Sequence, residues 1–245
     1  MKVVVLGGTK GMGRALSRLM VERRDRVFLL GRDSAELEKS ARDLEVRGGG
    51  QRIGTALCDL ETPDSFGPAL EKATAALAGL DCVVISAAMF ATQDELEADR
   101  TLLRRTLAVN FGHTVELCEM ARKQLMAAGG GTLCVFSSVA GDRGRKPVVL
   151  YGATKAGLSH YLEGLDHRYR SEGLRVICVK PGFVKTSMTS GLKPPPFAGE
   201  PEPVARRVLK AIDRGTPVVY APGIWALIMM VIRALPRFVM RRVGF

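Results

Sequence analysis

Short apolar runs alternate along this chain with stretches whose apolar residues recur at helical spacing. The runs Val3–Leu6, Val27–Leu30, Cys82–Ser86, Thr132–Ser137, Val176–Val179 and Val218–Tyr220 are bounded by polar or glycine-rich turns, and Ile53–Cys58 is a weaker example. Near-continuous apolar character predicts strands buried on both faces, as in a parallel sheet covered by helices. The intervening helical stretches supply those covers, so the predicted fold class is α/β with a doubly wound parallel sheet. No Pro/Ser-rich linker, low-complexity tract or internal repeat divides the 245 residues, and a hydrophobic content of 47% suffices for one large core. One domain is therefore predicted over residues 1–221, with a lid over about 187–203 and a C-terminal helical extension over 222–245.

The first run leads through Gly7-Gly8-Thr9-Lys10-Gly11-Met12-Gly13 into a helical pattern. A strand feeding a helix in this way presents free backbone N–H groups and the positive end of the helix dipole to a phosphate. Glycines there permit the close approach of a pyrophosphate, although a tight turn without ligand is the plainer alternative. Ligands of such sheets bind outside the carboxyl ends of the strands, where this loop, Ser138 and Pro181-Gly182 all fall. Tyr151 and Lys155 stand four residues apart on one face of a predicted helix, downstream of Ser138. Reducing a carbonyl needs an acid to protonate the alkoxide, and a tyrosine of pKa ~10 is poorly matched to neutral pH. An ammonium fixed nearby is expected to lower that pKa. The Ser138 hydroxyl would hold the substrate oxygen, with Ser137 as its rival; by itself a Tyr-x-x-x-Lys pair is common on surface helices.

From the first strand to about Thr186 the chain resembles a short-chain dehydrogenase/reductase. The resemblance implies a Rossmann-like fold and an NAD(P)-dependent oxidoreductase. It implies cofactor contacts at Gly7, Thr9, Lys10, Gly11, Met12 and Gly13, at Asp59 and Leu60 beside the adenine, and at Ser86 and Ala87. Further contacts are implied at Pro181, Gly182, Val184 and Thr186, the last meeting the nicotinamide carboxamide. The catalytic set it implies is Asn110, Ser138, Tyr151 and Lys155, with Tyr151 and Lys155 also touching the cofactor and Asn110 supporting a water path to the lysine. Asn110 reads equally as a residue inside a kinked helix. One departure is visible: Ile85-Ser86-Ala87-Ala88 stands where the family usually has Asn-Asn-Ala-Gly, so the spacing survives without the asparagine side chains. The stretch from Ser138 to Lys155, Thr186-Ser187-Met188 and the Leu-Pro-Arg-Phe at 235–238 are similar to the keto-sugar reductase subunits of decaprenylphosphoryl-ribose 2′-epimerases. That likeness implies a lipid-linked keto-sugar substrate, while the glycine loop and the NADP signal depart from the subgroup.

At the end of the second strand, a carboxylate suits the ribose hydroxyls of NAD and a cation suits the 2′-phosphate of NADP. Arg32 follows Gly31 there and Lys10 is available in the glycine loop, so NADPH is expected; Asp33 leaves NADH open. Lysine and arginine outnumber acidic residues 36 to 25, a net charge of +11 that suits acidic ligands, an anionic surface or plain solvation. Without clustered aromatics or a recognised binding motif, nucleic acid is not an expected partner. Cys58, Cys82, Cys118, Cys134 and Cys178 form no Cys-x-x-Cys pair and read as buried free thiols. His113, His160 and His167 show no metal-ligand spacing, so no metal is expected. The first residues read as a core strand and not as a cleavable leader, which gives the expectation of a cytoplasmic protein.

The tail sets Trp225, Leu227, Ile228, Val231 and Phe238 among Arg233, Arg237, Arg241 and Arg242. It is too short to cross a bilayer and is interrupted by Pro236. Residues 224–245 are therefore expected to lie on an anionic membrane face with Trp225 among the lipids; the chain is expected to be a homo-oligomer, and the alternative for the tail is a helix in that interface or over the lid. The expected substrate is a small-molecule or lipid-linked ketone, with soluble ketones and 3-oxoacyl thioesters as alternatives. The alternative of another class is an NADP(H)-sensing protein without turnover.

Overall fold

The computed structural model describes residues 1–242. Seven strands, β1 (Lys2–Leu6), β2 (Arg26–Gly31), β3 (Gly54–Leu57), β4 (Cys82–Ile85), β5 (Gly131–Phe136), β6 (Leu174–Pro181) and β7 (Val218–Ala221), form one sheet in the order β3-β2-β1-β4-β5-β6-β7. Every pairing is parallel. Each expected strand is present within a residue or two of its predicted ends. The helices are α1 (Gly11–Glu22), α2 (Ser34–Arg47), α3 (Phe66–Leu77), α4 (Gln93–Ala98), α5 (Arg100–Leu107), α6 (Thr114–Ala127), α7 (Val149–Tyr169), α8 (Pro201–Arg214), α9 (Ile224–Ala234) and α10 (Arg237–Met240).

Strand residues alternate between two cores. Val4, Leu6, Phe28 and Leu30 face the layer of α3, α6 and α7, where they meet Phe66, Leu70, Leu117 and Leu158. Val3, Val5, Val27 and Leu29 face α1, α2 and α8, where they meet Leu16, Met20, Leu44 and Val208. Burying each such side chain contributes roughly 1.5–3 kcal/mol, which explains why strands flanked on both sides carry no polar face. All five cysteines are buried free thiols. The order of strands reverses between β1 and β4, which opens a crevice at their carboxyl ends.

The stretch expected to form a lid, about 187–203, is irregular chain only as far as the start of α8. After Val184 a short helical turn covers Ser187–Thr189, and irregular chain through Pro194-Pro195-Pro196 returns to a bridge between Val184 and Gly199. Residues 201–203 belong instead to the first turn of α8, where Pro201 suits a position that needs no N–H donor. The tail also differs from expectation. Trp225 is 8% exposed and packs with Met229, Ile232 and Val139, so it belongs to the protein interior and not to a lipid-facing surface. Its indole Nε1 donates to the Phe197 carbonyl at 3.3 Å, tying the proline-rich segment to α9. α9 and α10 are thus packed onto the domain, with Leu235 and Pro236 breaking the helix between them. No described helix is long and apolar enough to cross a membrane. Residues 243–245 of the expected extension lie outside the described residues.

Candidate active site

A cleft of about 660 Å³ opens at the carboxyl ends of β1, β2 and β4. Gly7, Thr9, Lys10, Gly11, Met12, Gly13, Arg32, Asp59, Leu60, Ser86, Ala87 and Thr186 line it, which brings together twelve of the expected cofactor contacts. Gly7 turns through φ +87°, and a Cβ on Gly13 would stand 2.3 Å from the Gly7 carbonyl oxygen, so the loop folds tightly onto the start of α1. No side chain caps that helix at Lys10, so its first-turn N–H groups remain available to a pyrophosphate. This uncapped turn in a glycine cradle fits a dinucleotide. Pro181 ends β6 and Gly182 follows it, whereas the Val184 side chain is buried in the core, leaving only its backbone for contact.

Side chains around the cleft are already engaged. The Ser86 hydroxyl, in the place of a family asparagine, donates to the Leu6 carbonyl at 3.0 Å and ties the ends of β1 and β4 together. Asp59 accepts from the Glu61 N–H at 3.0 Å. Arg32 is exposed and approaches Glu61 at 3.7 Å, while Lys10 approaches Glu36 at 3.8 Å. Asp33 caps α2 by accepting from the Glu36 N–H at 3.0 Å. Two charged cleft residues escaped the sequence reading: Glu61, and Arg105 on α5, which donates to it twice at 2.9 Å. Glu61 directly follows Asp59-Leu60 and was within reach of a sequence argument; Arg105 arrives only through tertiary packing.

Next to the cleft, the turn after β5 and the first turns of α7 bring Ser138, Tyr151 and Lys155 together. Gly141 lets this loop lie against α7, since a Cβ there would meet the Lys155 carbonyl carbon at 2.6 Å. Phe90, a cleft residue, packs edge-on against Tyr151 with ring centroids 5.2 Å apart. Ser138 Oγ accepts from the Ala140 N–H at 3.1 Å and donates to the Pro181 carbonyl at 3.5 Å. Its rival Ser137 is buried and occupied with the Lys155 carbonyl at 3.0 Å and Ser159 at 2.7 Å. Behind the loop, Asp142 accepts from Lys180 Nζ at 2.6 Å and from the Tyr220 hydroxyl at 2.7 Å, fastening it to β6 and β7.

Electrostatics here differ from the expectation that the ammonium lowers the phenol's pKa. Burial pushes the Tyr151 phenol up to about 12, and the Ser138 hydroxyl pulls it only partly back. Burial also pushes the Lys155 ammonium down to about 8. Lys155 Nζ donates to the Phe136 carbonyl at 3.1 Å and stands 5.8 Å from the Tyr151 ring centroid, so desolvation outweighs its charge. Asn110 lies in a π-helical turn, Ala108–His113, between α5 and α6. Its amide donates to the Met89 carbonyl and accepts from the Met89 N–H, both at 2.8 Å. Asn110 thus sits inside a kinked helix with its side chain tied to Met89, an arrangement compatible with both readings of this residue.

Residues 1–195 match the family model described as short chain dehydrogenase. An uncharacterized oxidoreductase of Mycobacterium tuberculosis is 32% identical over 98% of this chain and 96% of its own length. Carbonyl reductase family member 4 of Xenopus tropicalis is 28% identical over 85% of this chain and 89% of its own. Among solved structures, a short-chain type dehydrogenase/reductase from Mycobacterium ulcerans superposes with a TM-score of 0.81, covering 89% of this chain and 86% of that one at 23% identity. With a Rossmann-like sheet, a glycine-lined cleft at its switch point and these matches, the chain belongs to the short-chain dehydrogenase/reductase family and is an oxidoreductase of its NAD(P)-dependent type.

Proposed function

We propose that the protein is an NADPH-dependent reductase that converts a ketone to a secondary alcohol, on a lipid-linked or otherwise amphiphilic keto-sugar or keto-lipid. The observation that carries the chemistry is the meeting of the Ser138 hydroxyl, Tyr151 phenol and Lys155 ammonium in a desolvated site beside the glycine-lined cleft. A nicotinamide bound in that cleft supplies the hydride. Ser138 holds the ketone oxygen, and Tyr151 gives its proton to the alkoxide as the C–O double bond becomes single. A phenol raised to about 12 keeps that proton until a stronger base develops beside it. Lys155 offsets the phenolate left behind and passes on the replacing proton. Both ends of the Asn110 amide are occupied by Met89, so its part in any water path runs through its backbone carbonyl.

Support for NADPH comes from Asp33 and Arg32. The carboxylate that NADH would need for its ribose hydroxyls caps α2, while Arg32 is exposed at the cleft with only a loose partner. Support for an amphiphilic substrate comes from the exposed Met188, Leu192 and Phe197 of the lid. A second reading is a reductase of a soluble small ketone or a 3-oxoacyl thioester; the Xenopus relative's name, a carbonyl reductase, supports carbonyl reduction under either reading. NADPH oxidation across a panel of lipid-linked keto-sugars, long-chain keto-lipids and small soluble ketones separates the two. With the best ketone, Tyr151→Phe is expected to cut turnover by at least ~10²-fold while NADPH still binds. A variant that turns over at the wild-type rate would overturn the assigned proton donor.

A further inference from the structure

Apart from Arg233 in its last turn, α9 is apolar all round yet lies on the surface, and only half of it is covered. Trp225, Met229 and Ile232 face inward onto Val139, and Ile228 is half-buried at the margin. On the other side Leu227 is 56% exposed, Met230 57% and Val231 54%, and Phe238 of α10 is 61% exposed. A helix hydrophobic on every face is a helix meant to be covered on every face. Among the described residues nothing covers the outer one.

The charges around this face select what covers it. Arg233, Arg237, Arg241 and Arg242 are all exposed, and the segment 224–242 contains no Asp or Glu. Its neighbour across the turn at Gly223 is another cation, Arg207, whose guanidinium approaches the site of a Gly223 Cβ to 2.9 Å. A two-fold contact between copies of this face would bring both sets of arginines into one interface with no carboxylate from either segment to pair them, which like-charge repulsion disfavours. An anionic lipid surface offers what the face lacks, an apolar layer for Leu227, Met230, Val231 and Phe238 beneath a plane of negative headgroups for the arginines.

We propose that the outer face of α9 and α10 docks the protein on an anionic bilayer, lying flat at the headgroup boundary. Trp225 takes the opposite role from an interfacial anchor: it rivets the docked helix to the enzyme and, through the Phe197 carbonyl, to the lid. The lid in turn reaches the cleft through Met188, so docking holds the cleft mouth at the lipid surface. This goes beyond the reaction proposed above and is tested without turnover.

The experiment is cosedimentation of the full-length protein with vesicles of phosphatidylcholine alone and of phosphatidylcholine mixed with phosphatidylglycerol. Binding is expected only to the mixed vesicles, with release as salt rises. Leu227→Glu combined with Val231→Glu should abolish it, and Arg237→Gln combined with Arg241→Gln should weaken it roughly tenfold or more. All four substitutions lie at exposed positions, and retention of the wild-type thermal shift with NADPH reports that each variant is folded. Failure of folded wild-type protein to sediment overturns the proposal, as does equal binding to both vesicle types. So does a wild-type dimer that the glutamate variant splits into monomers, which would assign the face to a second copy of the chain.

Discussion

Lys155 shows at the scale of one residue how the site trades stability for chemistry. Its ammonium is 2% exposed with one carbonyl acceptor among the described residues, and its pKa falls from 10.5 to about 8. A lowered cation pKa means that, between about 8 and 10.5, the unfolded chain still holds a proton the folded chain has lost, so this group's contribution to stability rises with pH across that window. Lys155→Met, similar in volume and uncharged, is therefore expected to be inactive yet more stable at pH 7, by something on the order of 3 kcal/mol. Denaturant titrations of both proteins should show the gap narrowing from pH 8 to pH 10; a gap independent of pH would mean that the buried amine is not charged at neutrality. Arg32 carries the second prediction at this scale. Arg32→Ala removes the charge-assisted contact proposed for the 2′-phosphate, so it should weaken NADPH far more than NADH. Fluorescence titration reads this directly, and equal weakening of both cofactors would place Arg32 away from the phosphate.

Between elements, the decisive contact is the one that fixes α9 at the end of β6. A Cβ on Gly182 would fall 2.1 Å from the Trp225 Nε1, closer than any side chain tolerates. Gly182→Ala is thus expected to push α9 outward and cost roughly 1–3 kcal/mol through overpacking. Trp225→Ala instead leaves a void and removes the donor to the Phe197 carbonyl, at a cost of about 3–5 kcal/mol. Thermal melts give both values. Limited proteolysis should locate the loosened segment in the lid; unchanged melting of Gly182→Ala would show that α9 sits elsewhere in solution. This seating was not legible in the tail itself. An apolar stretch with tryptophan and arginine suits a lipid face or a protein face equally, and which side of the helix turns inward depends on β6, the lid and Val139, all distant in sequence. The first turn of α8 falls inside the stretch 187–203 for a local reason, since Pro201 after a proline-rich loop opens a helix as readily as it extends a loop.

Over the whole molecule, the sequence by itself determined the sheet and the place of the site. Runs such as Val3–Leu6 and Val176–Val179 are apolar on both faces, which only a covered parallel strand satisfies, and the glycine loop and Ser138 had to fall at carboxyl ends of such strands. These are local patterns, carried by a few adjacent residues. What the tertiary structure decided are quantities set by many distant neighbours at once. The desolvation of Tyr151 and Lys155 reverses the pKa argument drawn from their spacing, because the burial felt by a helix pair depends on everything packed around it. The availability of Arg32 against Asp33 turns on which of them caps α2. The entry of Arg105 into the cleft depends on how α5 meets the turn after β3. Hydrophobic period is written along the chain, whereas dielectric, partner and exposure exist only once the chain has closed around them.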